Sequence, residues 1–597
     1  MMNENQAGAS SESLTHRFRR ATLVELPCWQ LLILAAVVGI TWAASLFDWS
    51  FVTGRDAFWL FPHGMVPGGE TDTAAPFAAY LYYVQNPWYL PLFYVPILGW
   101  PAGVNLIFAD FVPIVALTGK LIHSSTGAVI NLYGPYLFLC FVFPGVMMAL
   151  VLVAAKIRYA LAAIIAAILA DTAPILLWRW GHVALMAQFL PIGALALYLF
   201  SLQMRPWRGL ATIWIAYLIL AYLTNIYLFA MVGTVWLCAI IQRRLDGFDT
   251  TWEALGIGAL TIFVVTIVIA LGGQFSPGTP LPFDSSYGHF SMNLASPFIP
   301  QSSGVFPWGR KVIDATNGQY EGFNYFGLGL LLASLLVVPA QVSWLRRNLK
   351  WHVALLSALV ALTAFAISNR AYFGHRLLLD LSLPDFVIQI LGIFRSSGRL
   401  FWLICYSQLA VVMVLGFRHV RPLISVCMVG AVIVQLFDVQ PLRRQLIATI
   451  AEGPGIEELD PAQVAQLTAR ARRIDIVPSF ECIPWQSEDK QPTKLARANV
   501  ELMLSAARIN VATNTVDLSR HTYNLTWLDL LREPSRGREV LLEEQHQRYC
   551  KQEIERARTT EHPGDVFVLL SDQPRPAEML PGVICSPLSW ARYCQRP

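Results

Sequence analysis

Residues 28–47 read CWQLLILAAVVGITWAASLF, a stretch without a single charged side chain. A helix needs roughly 20 apolar residues to cross about 30 Å of hydrocarbon, so this stretch predicts a transmembrane helix. A polar tail, residues 1–26, precedes it, and the apolar run has no small-residue cleavage site, so we expect the helix to be retained. Ten further segments are apolar enough to span: 132–154, 157–174, 183–203, 209–223, 224–242, 252–272, 326–344, 352–369, 399–417 and 421–437.

The composition agrees with a multi-span membrane protein of about eleven helices. Apolar residues make up 55% of the 597 residues, and only 14% are charged. The formal net charge is +4, which is too small for a nucleic-acid-binding surface on a chain of this length. We therefore expect membrane lipids, and no nucleic acid, among the partners.

Basic residues predict the orientation of the helices. If the tail 1–26 is cytoplasmic, five basic pairs all fall in short cytoplasmic loops, as the positive-inside rule requires. They are Lys156/Arg158, Arg205/Arg208, Arg243/Arg244, Arg346/Arg347 and Arg418/Arg421. Residues 102–122 are also long enough to span, but counting them would place the later pairs outside, and Asp110 and Pro113 lie at their centre. We expect a re-entrant or interface-lying segment there, within a large first outer loop, residues 48–131.

The segment after residue 440 has a different composition. Charged residues become frequent, and strand-length runs such as RIDIVPSF and DVFVLLSD alternate with helix-like stretches. Residues 441–597 therefore predict a soluble α/β domain on the periplasmic side, where it would shield a site or help to dock a substrate. Its four cysteines suit two disulfides in an oxidising compartment, with three pairings open: Cys482, Cys550, Cys585 and Cys594. No Cys/His spacing points to zinc.

The predicted outer face collects the unusual polar residues. Long loops over a rigid scaffold are where function concentrates, and five separate segments converge there. The candidates are Asp56, Glu70, Asp72, Trp88 and Asp110 in the first outer loop, Arg179 and His182 in LLWRWGH, Asn225 and Tyr227 in LTNIY, Glu321, Asn324 and Tyr325 in YEGFNYFG, and Arg395 and Arg399 in FRSSGR. Ordinary roles stay open, because arginines and aromatic residues also anchor helices at the membrane interface and a lone histidine is commonly a packing residue.

These residue types suit one reaction. Arg395 and Arg399 are four residues apart, so on a helix entrance they face the same way, and paired guanidinium groups with serine hydroxyls suit a phosphate. A loop carboxylate can take the proton from an acceptor hydroxyl, and aromatic side chains can stack on a sugar ring or an isoprenoid. Together these groups favour glycosyl transfer from a lipid-linked sugar phosphate.

Four blocks carry a family resemblance: GGETDTAAPFAAYLYYVQNPWYLPL at 68–92, GWPAGVNLIFADFVPIVALTGK at 99–120, YEGFNYFG at 320–327 and FRSSGRLFWLICY at 394–406. With the order of one span, a long acidic outer loop, further spans and an outer soluble tail, they resemble the GT-C superfamily of integral-membrane glycosyltransferases. They look most like a bacterial polytopic family related to those enzymes, over roughly residues 25–440. The resemblance implies a GT-C-like α-helical domain, residues 27–440, in the bacterial inner membrane.

The resemblance also implies roles for individual residues. In GT-C enzymes an acidic residue of the first outer loop is the catalytic base, and Asp72 matches that position by its distance to the NPW motif. Asp110 matches a second acidic position before a proline, while Glu70 and Asp56 are alternative bases. Some members use a divalent cation, and Asp72 and Asp110 would hold Mg²⁺ or Mn²⁺ here. A polyprenyl-phosphate sugar would then place its phosphate near Arg395, Arg399 and Arg179.

Two other functions fit part of the pattern. A transporter or flippase of lipid-linked glycans would need a similar outward cavity with arginines, and it should show paired internal repeats. We see no clear repeat, although the segment 102–122 keeps this alternative open. A non-catalytic subunit of an envelope assembly would instead depend on its soluble tail and not on the loop carboxylates.

Overall fold

The computed structural model describes residues 24–54, 73–204, 207–276, 286–306, 314–418, 422–452, 458–469, 471–483, 491–518, 538–558, 564–570 and 584–595. Most of these residues are helical. Up to residue 452 the α-helices are Cys28–Ala44, Trp49–Val52, Ala74–Gln85, Pro113–Thr126, Tyr133–Cys140, Phe143–Ala154, Ala160–Asp171, Pro174–Leu177, Phe189–Ser201, Trp207–Tyr222, Ile226–Leu245, Thr251–Gly272, Leu328–Ala340, Val342–Leu349, Val353–Ile367, Asp385–Leu391, Trp402–Phe417, Pro422–Asp438 and Gln440–Glu452.

Several of these helices are suited to cross a membrane. In the described chain, six helical segments are long and apolar enough: Ala160–Leu177, Val183–Ser201, Ile226–Leu245, Thr251–Gly272, Val342–Ile367 and Ser397–Phe417. The number rises to eight if each of two bent pairs forms one span, Tyr133–Cys140 with Phe143–Ala154 and Pro422–Asp438 with Gln440–Ala451. The chain is therefore a multi-span membrane protein, as its composition predicts.

The other three predicted spans contain shorter helices. They are Cys28–Ala44, Gly209–Tyr222 and Leu328–Ala340, of which the first has 17 residues. At 1.5 Å per residue that helix is about 26 Å long, slightly less than the hydrocarbon thickness. All eleven predicted segments thus contain a helix, while the number of crossings and the orientation stay predictions.

The start and end of the longest regular helix follow from its sequence. At the start of Thr251–Gly272, the Glu253 N–H donates to Thr250 Oγ1 and the Thr250 N–H donates to the Glu253 carboxylate. This reciprocal capping box satisfies two donors that the first turn leaves open. The helix ends before Gly273, whose φ of +92° favours glycine. Few of its residues are buried, so most of its surface is free to face lipid.

The segment 102–122 does not form a membrane-length helix. Its first part pairs in a short hairpin between Tyr94–Val95 and Val104–Asn105, and a single 3-10 turn, Leu106–Phe108, follows. The helix Pro113–Thr126 then begins with proline at its first position and has 14 residues. This geometry is compatible with an interface-lying segment in the first outer loop.

Lys120 joins two parts of the first outer loop. It is 2% exposed, and its Nζ donates to the carbonyl oxygens of Tyr83 at 2.9 Å and Pro87 at 3.0 Å. The rings of Tyr83 and Trp88 lie 4.1 and 4.9 Å from the same nitrogen. A buried ammonium group needs such partners in place of water. The helix Pro113–Thr126 is thereby attached to the NPW motif.

We expect Lys120→Met to lower the free energy of unfolding by about 1–3 kcal/mol, because methionine removes the donor to the carbonyl oxygens of Tyr83 and Pro87, the first of which is buried. Denaturant titration of the purified protein in detergent measures the change. The matched control is Lys350→Met, since Lys350 is exposed and contacts only the face of Trp351 among the contacts described. The control should change the stability by less than about 0.5 kcal/mol, and equal losses in both variants would contradict the role of Lys120.

A second hairpin lies between two candidate spans. Strands Arg370–Phe373 and Arg376–Asp380 pair antiparallel, with Arg370 opposite Asp380 and a register shift between Ala371 and Tyr372. The short helix Asp385–Leu391 follows it and leads into the FRSSGR motif.

The described part of the tail forms an α/β unit. Its helices are Pro461–Thr468, Gln491–Arg508 and Arg538–Arg558. Its five-stranded sheet has the order Ala512–Thr513, Arg473–Val477, Asp565–Leu569, Ala591–Gln595 and Ile584–Leu588. The first three strands are parallel and the last two pair antiparallel. One disulfide joins Cys482 to Cys550, across 68 residues, and another joins Cys585 to Cys594.

This α/β unit docks on the first outer loop. Residues 97–100 of the loop pair with Thr513 of the sheet. The Trp100 N–H donates to Thr513 O, and the Thr513 N–H donates to Ile97 O, both at 2.9 Å. Three side chains at the end of helix Ala74–Gln85 add bonds, from Tyr82 to Val511 O, from Gln85 to Ala507 O and from Asn86 to Asn510. One continuous apolar core runs through both parts, so the tail is positioned over the loops of the membrane domain.

Candidate functional site

The loops at one end of the helix bundle enclose a cavity of about 480 Å³. Segments that are far apart in sequence build its wall, together with residues 517–518 of the C-terminal unit. Its polar lining residues are Asp110, His182, Thr224, Asn225, Tyr227, Gln274, Tyr320, Glu321, Arg395, Ser396, Arg399 and Asp517. The structure therefore brings seven of the predicted site residues into one cavity: Asp110, His182, Asn225, Tyr227, Glu321, Arg395 and Arg399.

Two glycines allow the motifs YEGFNYFG and FRSSGR to meet. A Cβ at Gly398 would lie 2.6 Å from the Cα of Gly322, so the two backbones approach more closely than side chains would permit. The Asn324 side chain fastens this contact by donating to the carbonyl oxygens of Gly322 at 3.0 Å and Gly398 at 2.9 Å. The close approach places Arg399 next to Glu321.

Glu321 is the centre of a buried ion cluster. Its Oε2 lies 2.8 Å from Arg179 Nη1 and 2.7 Å from Arg399 Nη2. The side chains of Glu321 and Arg179 are 9% and 3% exposed, so water screens this interaction little. Arg179 also donates to the carbonyl oxygens of Tyr320 and Glu321. One carboxylate thus pairs with two arginines, and the cluster keeps a net positive charge.

The cluster sets the protonation of Glu321 and His182. Burial raises the pKa of Glu321, but Arg179 and Arg399 outweigh it and hold that pKa well below the usual range. Burial, and then the charge of Arg399, lowers the pKa of His182 to about 3. Arg399 Nη2 lies 3.2 Å from His182 Nε2, and since arginine cannot accept, Nε2 accepts and the proton of the neutral ring sits on Nδ1.

The low pKa of Glu321 predicts sensitivity to acid. The unfolded carboxyl titrates near 4.5, and the folded one at a lower pH. Its stabilising contribution is therefore complete above pH 4.5 and is lost as the pH falls through the folded pKa. We expect the unfolding midpoint to fall more steeply below pH 4.5 in the parent protein than in Glu321→Gln, measured by thermal unfolding over a pH series. Parallel pH profiles would contradict this assignment.

Arg395 differs from Arg399 in its surroundings. It is half-buried, lines the cavity, and its guanidinium lies 6.0 Å from the ring of Phe290. No carboxylate of the described chain lies within 4.0 Å of it, whereas Arg399 is bound to Glu321. Arg395 is therefore a cavity arginine without a carboxylate partner among the described residues.

Asp110 is the exposed carboxylate of the cavity wall. Its φ of +46° lies in the left-handed region, which aspartate tolerates better than most residues. It interacts electrostatically with Arg399. Uncommon backbone conformations cost free energy, so they persist only where the surrounding structure holds them. They are frequent at functional sites.

Asn225 and Tyr227 have defined structural partners as well as a place in the cavity wall. Asn225 caps the helix Ile226–Leu245, where its Oδ1 accepts from the Tyr227 N–H at 2.8 Å. The Tyr227 hydroxyl accepts from the Ser396 N–H at 3.1 Å, and Arg399 lies over the Tyr227 ring at 4.9 Å. These contacts orient the FRSSGR motif toward the cavity.

The other predicted residues lie elsewhere. Arg179, Asn324 and Tyr325 are buried behind the wall, and Trp88 packs on Lys120, so none of them is a lining residue. Asp56, Glu70 and Asp72, including the predicted base, lie outside the described residues. Of the two predicted ligands for Mg²⁺ or Mn²⁺, Asp72 and Asp110, only Asp110 is among the described residues. Among the described residues, one group has metal-ligand spacing, Cys482, His546 and Cys550, and two of its sulfurs form a disulfide.

Several lining residues were not predicted from the sequence. Among them, Asp517 reaches the cavity from the C-terminal unit, and Gln274, Phe290 and Tyr320 reach it from loops between the helices. Asp517 stands in TNTVDLS, a stretch with no motif, and only the docking of the tail brings it to the site. Tyr320 is the first residue of YEGFNYFG and adjoins Glu321, so its place in this motif could have predicted it.

Comparisons with known proteins give few matches. The sequence matches no curated protein at a significant level. Among solved structures, ArnT from Cupriavidus metallidurans in the apo state is similar at 13% identity and a TM-score of 0.42, covering 95% of this chain and 97% of that one. The Archaeoglobus fulgidus oligosaccharyltransferase in complex with Zn and sulfate is similar at 14% identity and a TM-score of 0.33, covering 90% of this chain and 67% of that one.

One family model matches most of the chain. It is described as "Domain of unknown function (DUF6311)", and it matches residues 36–440. These residues include every span predicted after the first and the cavity wall apart from residues 517–518. Because the match covers more than half of the sequence, this chain belongs to the DUF6311 family.

Proposed function

We propose that this protein is a membrane glycosyltransferase of the GT-C type. It transfers a sugar from a polyprenyl-phosphate-linked donor to a cell-envelope glycan or lipid acceptor on the periplasmic side. The observation that carries the proposal is that Asp110, Arg395 and Arg399 line the same cavity. A carboxylate for the acceptor hydroxyl and guanidinium groups for a leaving phosphate are the groups that such a transfer requires.

The donor phosphate binds at Arg395. Arg399 shares its charge with Glu321, whereas Arg395 has no carboxylate partner in the described part of the chain. A phosphate beside Arg395 adds the missing counter-charge, and it can also accept from Arg399. Arg179, which is buried behind the wall, supports the phosphate site by positioning Glu321.

The transfer is an inverting displacement. A loop carboxylate, Asp72 with the support of Glu70 or Asp110, takes the proton of the acceptor hydroxyl. At the same time the acceptor oxygen forms a bond with the anomeric carbon of the donor sugar. The bond from that carbon to the phosphate oxygen breaks, and its electron pair leaves with the polyprenyl phosphate. Arg395 stabilises the charge that develops on the phosphate. Asp56, His182, Asn225, Tyr227, Trp88, Asn324 and Tyr325 then hold or shape the sugar and acceptor sites. A divalent cation at Asp72 and Asp110 would add charge for the phosphate.

The test is transfer from a panel of radiolabelled polyprenyl-phosphate sugars by purified protein in lipid vesicles, with membrane extract as acceptor. Label should move with the parent protein and not with Asp72→Asn or Arg395→Gln. The matched control is Asp460→Asn, because Asp460 caps a helix of the C-terminal unit, where asparagine serves equally well. Chelation of divalent ions in the same assay tests the metal.

The outcome separates the alternatives. Donor binding without transfer by the parent protein would contradict the proposal and favour translocation of a lipid-linked glycan. Absence of both binding and transfer, with loss of function on deletion of the tail, would favour a non-catalytic subunit of an envelope assembly.

A further inference from the structure

The hairpin Arg370–Asp380 and the helix Asp385–Leu391 expose an unusual amount of apolar surface. We call residues 370–391 the outer apolar hairpin. All five residues of strand Arg376–Asp380 are exposed, including three consecutive leucines. The large exposed side chains are Phe373, Leu377, Leu378, Leu379, Leu381, Phe386 and Ile390, with Leu378 at 55% and Phe386 at 65%.

The apolar residues of this hairpin are not distributed as in a hairpin that is exposed to water. A solvent-facing strand alternates apolar and polar residues, so that one face meets the core and the other meets water. Leu377, Leu378 and Leu379 put leucine on both faces, and both faces are exposed. Both faces therefore need an apolar surrounding that the described chain does not supply.

The backbone limits how deep the hairpin can lie. Strand Arg376–Asp380 pairs with Arg370–Phe373 on one side, and no described strand pairs with its other edge. An open strand edge is not tolerated in the hydrocarbon core, where no water satisfies its polar groups. At the headgroup boundary, water and headgroups can do so while leucine side chains reach the acyl chains. The basic side chains of Arg370, His375 and Arg376 are exposed on the hairpin, and Arg370 also pairs with Asp380 at 3.4 Å.

The hairpin continues the lipid-facing surface of the protein. It begins three residues after Ile367, the end of a helix on which only Ala366 is buried. The next candidate span starts at Ser397, so both ends of the outer apolar hairpin are held at the membrane boundary. The turn of the hairpin is fixed to the loop that carries Phe290 of the cavity wall. Asn293 of that loop donates to Gly374 O at 2.8 Å and accepts from Gly374 N at 3.0 Å.

The hairpin also leads to the cavity. The helix Asp385–Leu391 is followed directly by Ile393, Phe394 and Arg395, which line the cavity wall. An isoprenoid chain lying along this apolar surface would bring its phosphate to Arg395.

We propose that the outer apolar hairpin inserts into the membrane leaflet on the cavity side and guides the isoprenoid chain of the donor to Arg395. The second half of this proposal rests on the proposed function, whereas the insertion into lipid does not. The occupant of the apolar surface is membrane lipid and not a protein partner.

A photo-reactive phenylalanine analogue placed at position 378 tests the insertion. The full-length protein is reconstituted in vesicles of phosphatidylethanolamine and phosphatidylglycerol and irradiated, and adducts are identified by mass spectrometry. Position 360 is the lipid-facing reference, because Val360 is 71% exposed on the helix Val353–Ile367. Position 584 is the control away from the docked edge, because Ile584 is 63% exposed on the strand of the C-terminal sheet that lies farthest from Ala512–Thr513.

We expect lipid adducts at positions 378 and 360 and none at 584. Adducts with solvent only, or with another protein, at 378 would overturn the insertion while leaving the glycosyltransferase proposal untouched. For the second half, Leu378→Glu should raise KM several-fold for a long-chain donor and leave a short-chain, water-soluble donor unaffected. Equal effects on both donors, or no effect on either, would overturn the guiding role, and Ile584→Glu is the matched control.

Discussion

Asp110→Asn is expected to lower the turnover of sugar transfer by about 10²-fold, the lower end of the contribution of a positioned acid or base, because Asp110 supports Asp72 in the proposed transfer. Asparagine removes the negative charge but keeps the shape, and it adopts a φ near +46° as readily as aspartate. The backbone at the cavity wall should therefore be unchanged. The measurement is the rate of label transfer at saturating donor, with the thermal unfolding midpoint as a check of folding.

The reference variant for Asp110 is Asp72→Asn, because the family resemblance gives Asp72 the role of base. A large loss in Asp72→Asn with full activity in Asp110→Asn would remove Asp110 from the reaction. Losses in both variants, with a changed dependence on Mg²⁺ or Mn²⁺ in each, would support a shared ion. Asp110→Gly separates charge from backbone, since glycine also accepts the left-handed conformation.

Glu321→Gln is expected to lower the free energy of unfolding by about 3–5 kcal/mol, because it leaves the buried Arg179 without its counter-charge. The side chain of Arg179 is 3% exposed, so solvent cannot replace the carboxylate there, whereas Arg399 at 12% lines the cavity. Denaturant titration in detergent gives the change. Glu253→Gln is the matched control, because Glu253 is exposed at a helix start and its loss should cost no more than about 1 kcal/mol.

A double variant tests whether uncompensated charge causes this loss. In Glu321→Gln/Arg179→Met, one buried arginine is removed together with the carboxylate, so part of the stability should return. If the double variant is as unstable as the sum of both single variants, the loss comes from packing of the loops and not from charge.

Local patterns explain how much of the fold could be predicted. The membrane class is confirmed, because the length of an apolar segment is read directly from the sequence and the bilayer imposes it. Exclusion of residues 102–122 from the spans agrees with the short helix Pro113–Thr126. Helix length was less predictable at Cys28–Ala44 and Leu328–Ala340, where the regular helix is shorter than the apolar segment. The first helix ends at Ala44, three residues before the end of the predicted segment. Pro339 lies in the last turn of the second helix, and proline disfavours continuation of a helix.

The candidate site was predictable in its members and not in their pairing. The polar residues of the outer loops could be named because polar groups at the end of apolar helices are rare. The sequence could not predict which of these residues pair with each other and which face the cavity. Glu321 meets Arg179 and Arg399 across 142 and 78 residues. Asn324 is another example, because it fastens two loops where a substrate contact was expected.

Hydrophobic length and local charge, which neighbouring residues encode, are enough to place this protein in a membrane, to locate its helices and to predict which polar residues gather at one end of them. The tertiary structure adds that Glu321 pairs with Arg399 while Arg395 has no carboxylate partner among the described residues, and that Asp517 of the C-terminal unit enters the cavity wall. These outcomes depend on loops meeting through close backbone contacts such as that of Gly322 with Gly398, and no local pattern in the chain encodes such a contact.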